Sequence, residues 1–140
     1  MKGSKRKASA LVHVKELAEF RYALRKFLQF SEEAALRAGL TSQQHQLLLQ
    51  IAGASAQTQT TVGYIAERLG LRHNSVVELS KRCEESGYIC RDVTQNEFRY
   101  VILSLTARGR ALLVGLSTDH AQELYVLGPK LIDTLTPFTK

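Results

Sequence analysis

The middle of the sequence, residues 61–106, decides the fold. It begins TVGYIAERLG and continues with LRHNSVVELSKRCEESG and YICRDVTQNEFRYVILSLT. The first of these segments has apolar residues at positions i, i+3, i+4 and i+7, the spacing of one buried helix face. They are Val62, Ile65, Ala66 and Leu69. Thr61 can cap this helix and Gly70 can end it in a left-handed conformation, so the chain must turn there.

A second helix is predicted over residues 73–86, with Gly87 as its stop. Its buried stripe at helical spacing consists of Val76, Leu79 and Cys83. At about 100° per residue, the opposite side of the helix carries a mostly polar set. This set consists of His73, Asn74, Val77, Glu78 and Lys81. The start of the helix is weakly capped, because Arg72 occupies the position where Ser or Asp is preferred.

Two extended runs follow, residues 88–93 and 99–105, on either side of the polar turn 94–97. Helix, tight turn, helix and hairpin in this order are the layout of a winged helix-turn-helix. Such a unit exposes one helix and one β-ribbon to the grooves of duplex DNA.

The segment before this region adds one more helix. Gly39 ends the preceding helix, and TSQQ at residues 41–44 fits a capping box, with Thr41 as N-cap and Gln44 reaching back to it. A helix is predicted from there through Leu47, Leu48 and Ile51. Residues 53–60, GASAQTQT, are small and polar and indicate a loop whose end can form a short β-segment.

Apolar helices are predicted at both ends of the chain. The first has a broad apolar stripe, which one small domain cannot cover, so we interpret it as a partner-binding helix; packing within one chain is the alternative. A last helix opens at Thr106 and is predicted to break at Gly128-Pro129. Apolar segments on both sides of a self-contained middle favour two intertwined subunits. The stripe of the first helix includes Leu11, Val14, Leu17, Leu24, Phe27 and Leu28.

The predicted fold class is therefore mainly α with a small β-hairpin wing (α+β). Four segments follow along the chain: a basic flexible arm over residues 1–9, an N-terminal dimerisation helix over 10–38, a winged helix-turn-helix DNA-binding domain over 40–106, and C-terminal dimerisation helices over 107–140. The arm has four basic residues and no apolar periodicity, so it either contacts phosphates or only aids solubility. The basic residues are Lys2, Lys5, Arg6 and Lys7.

Composition agrees with one soluble domain of 140 residues. The formal net charge of +6 suits a polyanionic partner, although many basic proteins bind none. No apolar run approaches a membrane span, so we expect a cytoplasmic protein without a membrane partner. The two cysteines are expected to be reduced thiols, and no His or Cys spacing suggests a metal or cofactor. The chain lacks a Gly-rich phosphate loop, paired carboxylates and a nucleophile motif, so we expect no enzyme and no catalytic residue.

Four motifs together carry a family resemblance. They are GLTSQQ before the second helix, TVGYIAERLGL, EESGYI leading into the hairpin, and VILSLTARG at its end. In this order and spacing, the chain resembles the MarR family of dimeric winged-helix transcription regulators over nearly its full length. The resemblance implies a sequence-specific homodimeric DNA-binding regulator, a repressor, acting on a pseudo-palindromic site in double-stranded DNA.

The resemblance also implies a candidate effector site. Some family members bind a small aromatic or lipophilic acid between the dimer helices and the DNA-binding lobe. His13, Tyr22 and Arg25 lie on the first helix and are the candidates to line such a crevice. Packing at the subunit contact explains Tyr22 equally well. A peroxide-sensing branch of the family has a cysteine near the start of its first helix, and this chain has none there.

Candidate DNA contacts lie on the second helix of the motif. Asn74 can bridge N6 and N7 of adenine, His73 can bind a purine N7, and Val77 can meet a thymine methyl group. Lys81, Arg82, Arg91 and Arg99 are assigned to the DNA backbone or, for Arg99, to the minor groove. By helical phase Arg82 lies off the exposed arc. Each of these residues could instead face solvent.

The wing departs from the family pattern. An Asp-x-Arg triplet is common there, its arginine entering the minor groove, and the matching residues are Glu97, Phe98 and Arg99. Phe98 stands where a second basic residue is frequent, and Glu78 places a carboxylate on the recognition helix. These departures favour an alternative function, a winged-helix protein-interaction module without specific DNA binding.

Overall fold

The computed structural model describes residues 2–140, and the side chains of residue 11 and residues 13–140. Over these residues the elements are, in chain order, α1 (Lys2–Arg37), α2 (Ser42–Gly53), α3 (Val62–Leu69), α4 (His73–Glu85), β1 (Ile89–Val93), β2 (Val101–Leu105), α5 (Ala107–Leu135) and a 3₁₀ turn (Thr136–Phe138). The two strands form an antiparallel hairpin. The predicted fold class, mainly α with a β-hairpin wing, is confirmed.

The chain divides into two compact units. One contains the chain through Ala34 together with Thr118–Lys140, and the other is Ala35–Ser117. The second, the winged-helix unit, holds α2, α3, α4 and the hairpin. Its fully buried apolar side chains come from each of these elements, and burial of each contributes about 1.5–3 kcal/mol. They include Leu47, Leu48, Ile65, Val76, Ile89 and Leu103.

Local caps set the ends of α2 and α3 as predicted. Gln44 N donates to Thr41 Oγ1 at 3.1 Å, and Thr41 N donates to Gln44 Oε1 at 3.0 Å, which completes the capping box. Thr61 Oγ1 accepts from Tyr64 N at 3.1 Å and caps α3. Gly70, at φ 65°, ends α3 in the left-handed conformation. Gly70 therefore turns the chain between α3 and α4.

Helix α1 corrects a predicted boundary. It begins at Lys2 and ends at Arg37, so its backbone includes residues predicted as a separate basic arm. The arm was separated because it lacks apolar periodicity. However, Lys, Arg and Ala have high helix propensity, and the segment contains no proline that would stop a helix. Met1 lies outside the described residues.

Helix α5 corrects a second boundary. The predicted break at Gly128-Pro129 is wrong, because α5 continues through Pro129 to Leu135. Proline forgoes one backbone hydrogen bond, but a helix of 29 residues keeps the others. Leu127, two residues before the proline, is 6% exposed, so packing of this segment offsets the loss.

In the first unit, α1 and α5 meet at a polar contact within an aromatic cluster. His120 Nε2 and Ser31 Oγ are 2.8 Å apart, and Ser31 is buried. The rings of Phe27 and Phe30 lie edge-on to His120, with centroids at 6.0 and 5.3 Å. Nearer the chain ends, the rings of His13 and Phe138 are 5.9 Å apart.

Candidate nucleic-acid interface

Helix α4 presents one side to solvent. His73 and Asn74 are exposed and Val77 is half-buried, on the side opposite the buried Val76 and Leu79. The helical spacing therefore predicted the exposure of His73 and Asn74, whereas Val77 is less exposed than expected. The base-reading roles of all three stay predictions. Arg72 makes no capping hydrogen bond through its side chain, as expected from its type.

Ser80 was missed by the sequence reasoning. It is fully buried, and its hydroxyl donates to the carbonyl oxygen of Val77 at 2.8 Å. Its position four residues after Val76 is the signal that could have found it, since i and i+4 lie on one face. Ser80 lets the helix pack closely while its hydroxyl stays hydrogen-bonded within the helix.

The charges on α4 are solvent-exposed. Lys81 Nζ and Glu78 Oε1 are 3.7 Å apart, with side chains 51% and 67% exposed respectively. An exposed pair of this kind contributes about 0–1 kcal/mol, so little free energy is lost when Lys81 turns to another anion. Arg82 is also exposed, although its helical phase differs from that of Lys81.

The wing is anchored at its base to α3 and α4. The hairpin runs in register from Ile89 opposite Leu105 to Val93 opposite Val101. Thr61 forms an isolated antiparallel bridge with Ile102, one residue beyond the loop 53–60 that was predicted to end in a short β-segment. At the end of α4, Glu84 Oε2 accepts from Arg91 N at 3.2 Å. Arg91 is half-buried, and its Nε has no hydrogen-bond partner among the described residues.

The start of α5 packs against the residues just before β1, at the base of the wing. Thr106 Oγ1 donates to Gly87 O at 2.7 Å and accepts from Gly109 N at 3.0 Å. A Cβ at Gly109 would overlap the Tyr88 carbonyl oxygen and lie 2.9 Å from its carbonyl carbon. At the TARG sequence, residues 106–109, two backbone segments therefore approach each other closely. The sequence alone indicated these residues only as part of a family motif.

Arg99 lies in the turn and not on a strand. The prediction placed it at the start of the second run, but β2 begins at Val101. Its φ of 47° is in the left-handed region, where residues with a Cβ are uncommon. The prediction failed because Phe98-Arg99-Tyr100 has the composition of a strand, whereas hydrogen bonds within the turn decide its backbone. The Arg99 side chain is exposed.

The two cysteines differ in environment. Burial raises the pKa of the Cys83 thiol from 9.0 to about 11, since a thiolate there would be desolvated. Cys83 is therefore a protonated core residue, as its place on the buried stripe predicted. Cys90, on β1, is exposed.

The effector candidates are not gathered at one point of α1. His13, Tyr22 and Arg25 are all exposed. Tyr22 follows His13 by nine residues, which corresponds to about 14 Å along the axis and about 180° around it. Lys26 Nζ lies 4.7 Å from the Tyr22 ring centroid. The crevice that these residues would line stays a prediction.

A cavity in the winged-helix unit was not foreseen. It has a volume of about 480 Å³ and lies beside the end of α2, the following loop, β2 and the start of α5. Its walls include Ile51, Thr60 and Leu103, and Arg110 is the charged residue among the described residues that line it. Cavities of this size hold small organic ligands in other proteins.

The described residues offer neither a metal site nor a membrane-spanning helix. No group of three or more His, Cys, Asp or Glu side chains in that part of the chain is arranged to hold a metal ion. None of the helices over the same residues is both long and apolar enough to span a bilayer.

The chain is similar in sequence to a known family. Residues 38–96 match a sequence model described as MarR family. The resemblance to the MarR family is confirmed. No curated protein matches the chain.

Solved structures share the MarR winged-helix fold. AbfR in its disulfide-formed state is 24% identical, with a TM-score of 0.61, over 99% of this chain and 98% of that chain. MepR, a transcription regulator of the Staphylococcus aureus multidrug efflux pump MepA, is 21% identical with a TM-score of 0.69, over 80% and 81%. A MepR mutant from S. aureus bound to an oligodeoxyribonucleotide is 22% identical with a TM-score of 0.64, over 79% of each chain. At these identities the likeness shows the fold.

Proposed function

We propose that this chain is a sequence-specific, homodimeric DNA-binding transcription regulator that represses its targets. The observation that carries the proposal is the pairing of an exposed, mostly polar face of α4 with a wing that exposes Arg99. The MepR structure with an oligodeoxyribonucleotide supports DNA as the ligand of this fold. The net charge of +6 favours a polyanion.

Base reading is assigned to His73, Asn74 and Val77. The first two begin α4, and the N-terminal residues of a recognition helix are the ones that contact base edges in the major groove. Asn74 is expected to be the most base-specific of the three, because a carboxamide can donate to N7 and accept from N6 of one adenine. Val77 is half-buried and offers only its outer methyl surface, which suits a thymine methyl group.

Affinity is assigned to the basic residues around this face. Lys81 and Arg82 are exposed on α4 and would contact phosphates, and Arg99 would enter the minor groove. Arg91 is half-buried whereas Arg99 is exposed, so the Arg99 side chain is the more accessible of the two. Phosphate contacts supply affinity, whereas base contacts supply sequence choice.

Dimerisation is assigned to the unit formed by α1 and the second half of α5. Large apolar side chains are exposed there, including Tyr125 at 83%, Val126 at 78% and Ile132 at 67%. Exposed apolar surface on two helices of one unit is typical of a subunit interface. A partner copy would cover these residues, together with Leu11, Val14, Leu17 and Leu28.

An effector is proposed to relieve repression. A small aromatic or lipophilic acid would suit the cavity beside Arg110, whose guanidinium would pair with the carboxylate. The alternative location is the crevice assigned to His13, Tyr22 and Arg25. With benzoate as a probe, loss of response in Arg110→Ala but not in Arg25→Ala would favour the cavity, and the reverse would favour the crevice.

The deciding experiment selects bound sequences from random duplex DNA. The wild type should enrich a pseudo-palindrome with half-sites about one helical turn apart. Asn74→Ala should lose preference at one base pair per half-site, whereas Arg99→Ala should weaken binding to all sequences about equally. Arg37→Ala, an exposed arginine at the end of α1, is the control for loss of charge. An unenriched wild-type pool would refute the proposal.

A winged-helix protein-interaction module is the second candidate. Phe98, 72% exposed at the wing, and Glu78, exposed on α4, favour it. This function predicts weak DNA binding without sequence preference, which Arg99→Ala barely changes. The selection experiment therefore separates the two candidates.

A further inference from the structure

The tip of the wing carries two aromatic rings in contact. Phe98 is 72% exposed and Tyr100 is 46% exposed. Their centroids are 6.1 Å apart and their planes are inclined by 20°, a stacked arrangement. Tyr100 therefore supports one side of the Phe98 ring, and the rest of that ring projects into solvent.

A set of hydrogen bonds holds the turn in this shape. Asn96 Oδ1 accepts from Thr94 Oγ1 at 2.9 Å and from Phe98 N at 3.2 Å. Tyr100 N donates to Thr94 Oγ1 at 2.9 Å, and Thr94 N donates to Tyr100 O at 2.8 Å. The two residues that carry the aromatic rings are thus both bonded to the same polar pair, Thr94 and Asn96.

Arg99 lies between the two rings in sequence, with a backbone that an arginine seldom adopts. Its φ of 47° lies in the left-handed region, which is unfavourable for a residue with a Cβ. Such an outlier persists only where the surroundings enforce it, and it is a pointer to function. Here the enforced shape exposes an aromatic ring directly next to a guanidinium.

The charge of the tip is balanced. Glu97 and Arg99 are the charged residues of the segment TQNEFRY, so the turn as a whole gains little from general attraction to phosphates. A tip that contributes to binding must do so through short-range contacts of the ring and the guanidinium. Apolar wedges beside an arginine are the means by which several protein classes unstack and bend DNA from the minor groove.

We propose that Phe98, supported by Tyr100, is an apolar wedge that enters the minor groove beside Arg99 and partly unstacks a base step at the outer edge of each half-site. The inference rests on the proposed DNA-binding function and deepens it. The wedge would favour a flexible pyrimidine–purine step under the wing and would bend the bound duplex. This preference comes from the ease with which that step is deformed and not from contacts to base edges.

The test uses the duplex that the full-length wild type selects, labelled at both ends for energy transfer. Binding of the wild type should bend this duplex. Phe98→Ala should abolish the bend and weaken binding on the order of tenfold, without changing the dependence of affinity on salt, because no phosphate contact is lost. Phe98→Leu keeps an apolar wedge and should retain most of the bend.

Val93→Ala is the matched control, because Val93 is also an exposed apolar residue of the hairpin, 57% exposed, but it is the last residue of β1 and does not belong to the turn that carries Phe98. It should bind and bend as the wild type does. Phe98→Ala is expected to fold, since its side chain is mostly exposed, and thermal unfolding checks this.

Two results would overturn the wedge. One is a Phe98→Ala protein that binds and bends the duplex as the wild type does. The other is a loss of affinity in Phe98→Ala that Val93→Ala reproduces. A wild type that selects no duplex refutes the proposed function itself, whereas a selected duplex that is indifferent to Phe98 refutes only this inference.

Discussion

Helix α4 and the tip of the wing hold their exposed side chains by different means. In α4 the backbone ladder and the buried side chains of Val76, Leu79 and Cys83 set the direction of every residue on the other side. The tip lacks such a ladder, and the conformation of the turn around Arg99 depends on a few hydrogen bonds that the side chains of Thr94 and Asn96 accept from Phe98 N and Tyr100 N and share with each other. Substitutions beneath α4 should therefore change stability first. Substitutions at the tip should change DNA binding with little change in stability.

The largest contrast is expected in thiol reactivity. Cys83 lies on the buried stripe of α4 and Cys90 on the exposed side of β1. A thiol reagent in excess should modify Cys90 at least about a thousandfold faster than Cys83, because Cys83 must wait for the helix to open. Timed labelling with mass spectrometry measures both rates. Cys90→Ser is the control, and rapid labelling of that variant would contradict the burial of Cys83.

The Cys83 thiol is also expected to make the free energy of unfolding fall at alkaline pH. Its folded pKa is raised from 9.0 to about 11, so the protonated thiol stabilises the fold below about pH 9. This contribution is lost as pH rises through about 11. Chemical unfolding of wild type and Cys83→Ala between pH 8 and 11 should show the decline attributable to this group only in the wild type.

The next largest effect is expected at the base of the wing. Gly109→Ala should lower the free energy of unfolding by about 3 kcal/mol, because the added methyl overlaps the Tyr88 carbonyl. Gly115→Ala is the matched control in α5, since a Cβ there meets nothing within 4 Å. That change should be neutral or stabilise the helix by about 1 kcal/mol. Equal unfolding midpoints for the two variants would show that the wing base is not closely packed.

A smaller effect is expected at the tip. Asn96→Ala removes the acceptor for Thr94 and Phe98 and should weaken DNA binding by about 1 kcal/mol, while the unfolding midpoint stays nearly unchanged. Gln95→Ala, the exposed neighbouring residue, should change neither quantity. A large loss of stability in Asn96→Ala would mean that the tip supports the fold as α4 does.

The smallest effect is expected at Glu78 on α4. Glu78→Gln removes a carboxylate that repels phosphates and pairs with Lys81, and should strengthen binding to random duplex DNA by up to about 1 kcal/mol. Glu85→Gln, at the end of α4, should have a smaller effect. Filter binding at two salt concentrations measures both. Weaker binding by Glu78→Gln, confined to sites with a cytosine at one position, would instead assign Glu78 to cytosine N4.

Local spacing accounts for most of what was predictable. The capping box of Thr41 and Gln44, the glycine stop of α3 and the buried stripe of α4 all depend on residues within one or two turns of each other. These features depend on local interactions and form regardless of which other parts of the protein the segment contacts. The exposure of His73 and Asn74 followed for the same reason, because the phase of a helix is set once one face is buried.

The sequence by itself therefore determined the order of elements, the caps, the face that α4 exposes and the family resemblance. Only the tertiary structure decided that α5 continues through Pro129, that Gly109 lies against Tyr88, and that Arg99 has a left-handed backbone. These features depend on contacts between segments or on several simultaneous hydrogen bonds. Propensity and periodicity describe one segment at a time, so they carry no information about such contacts.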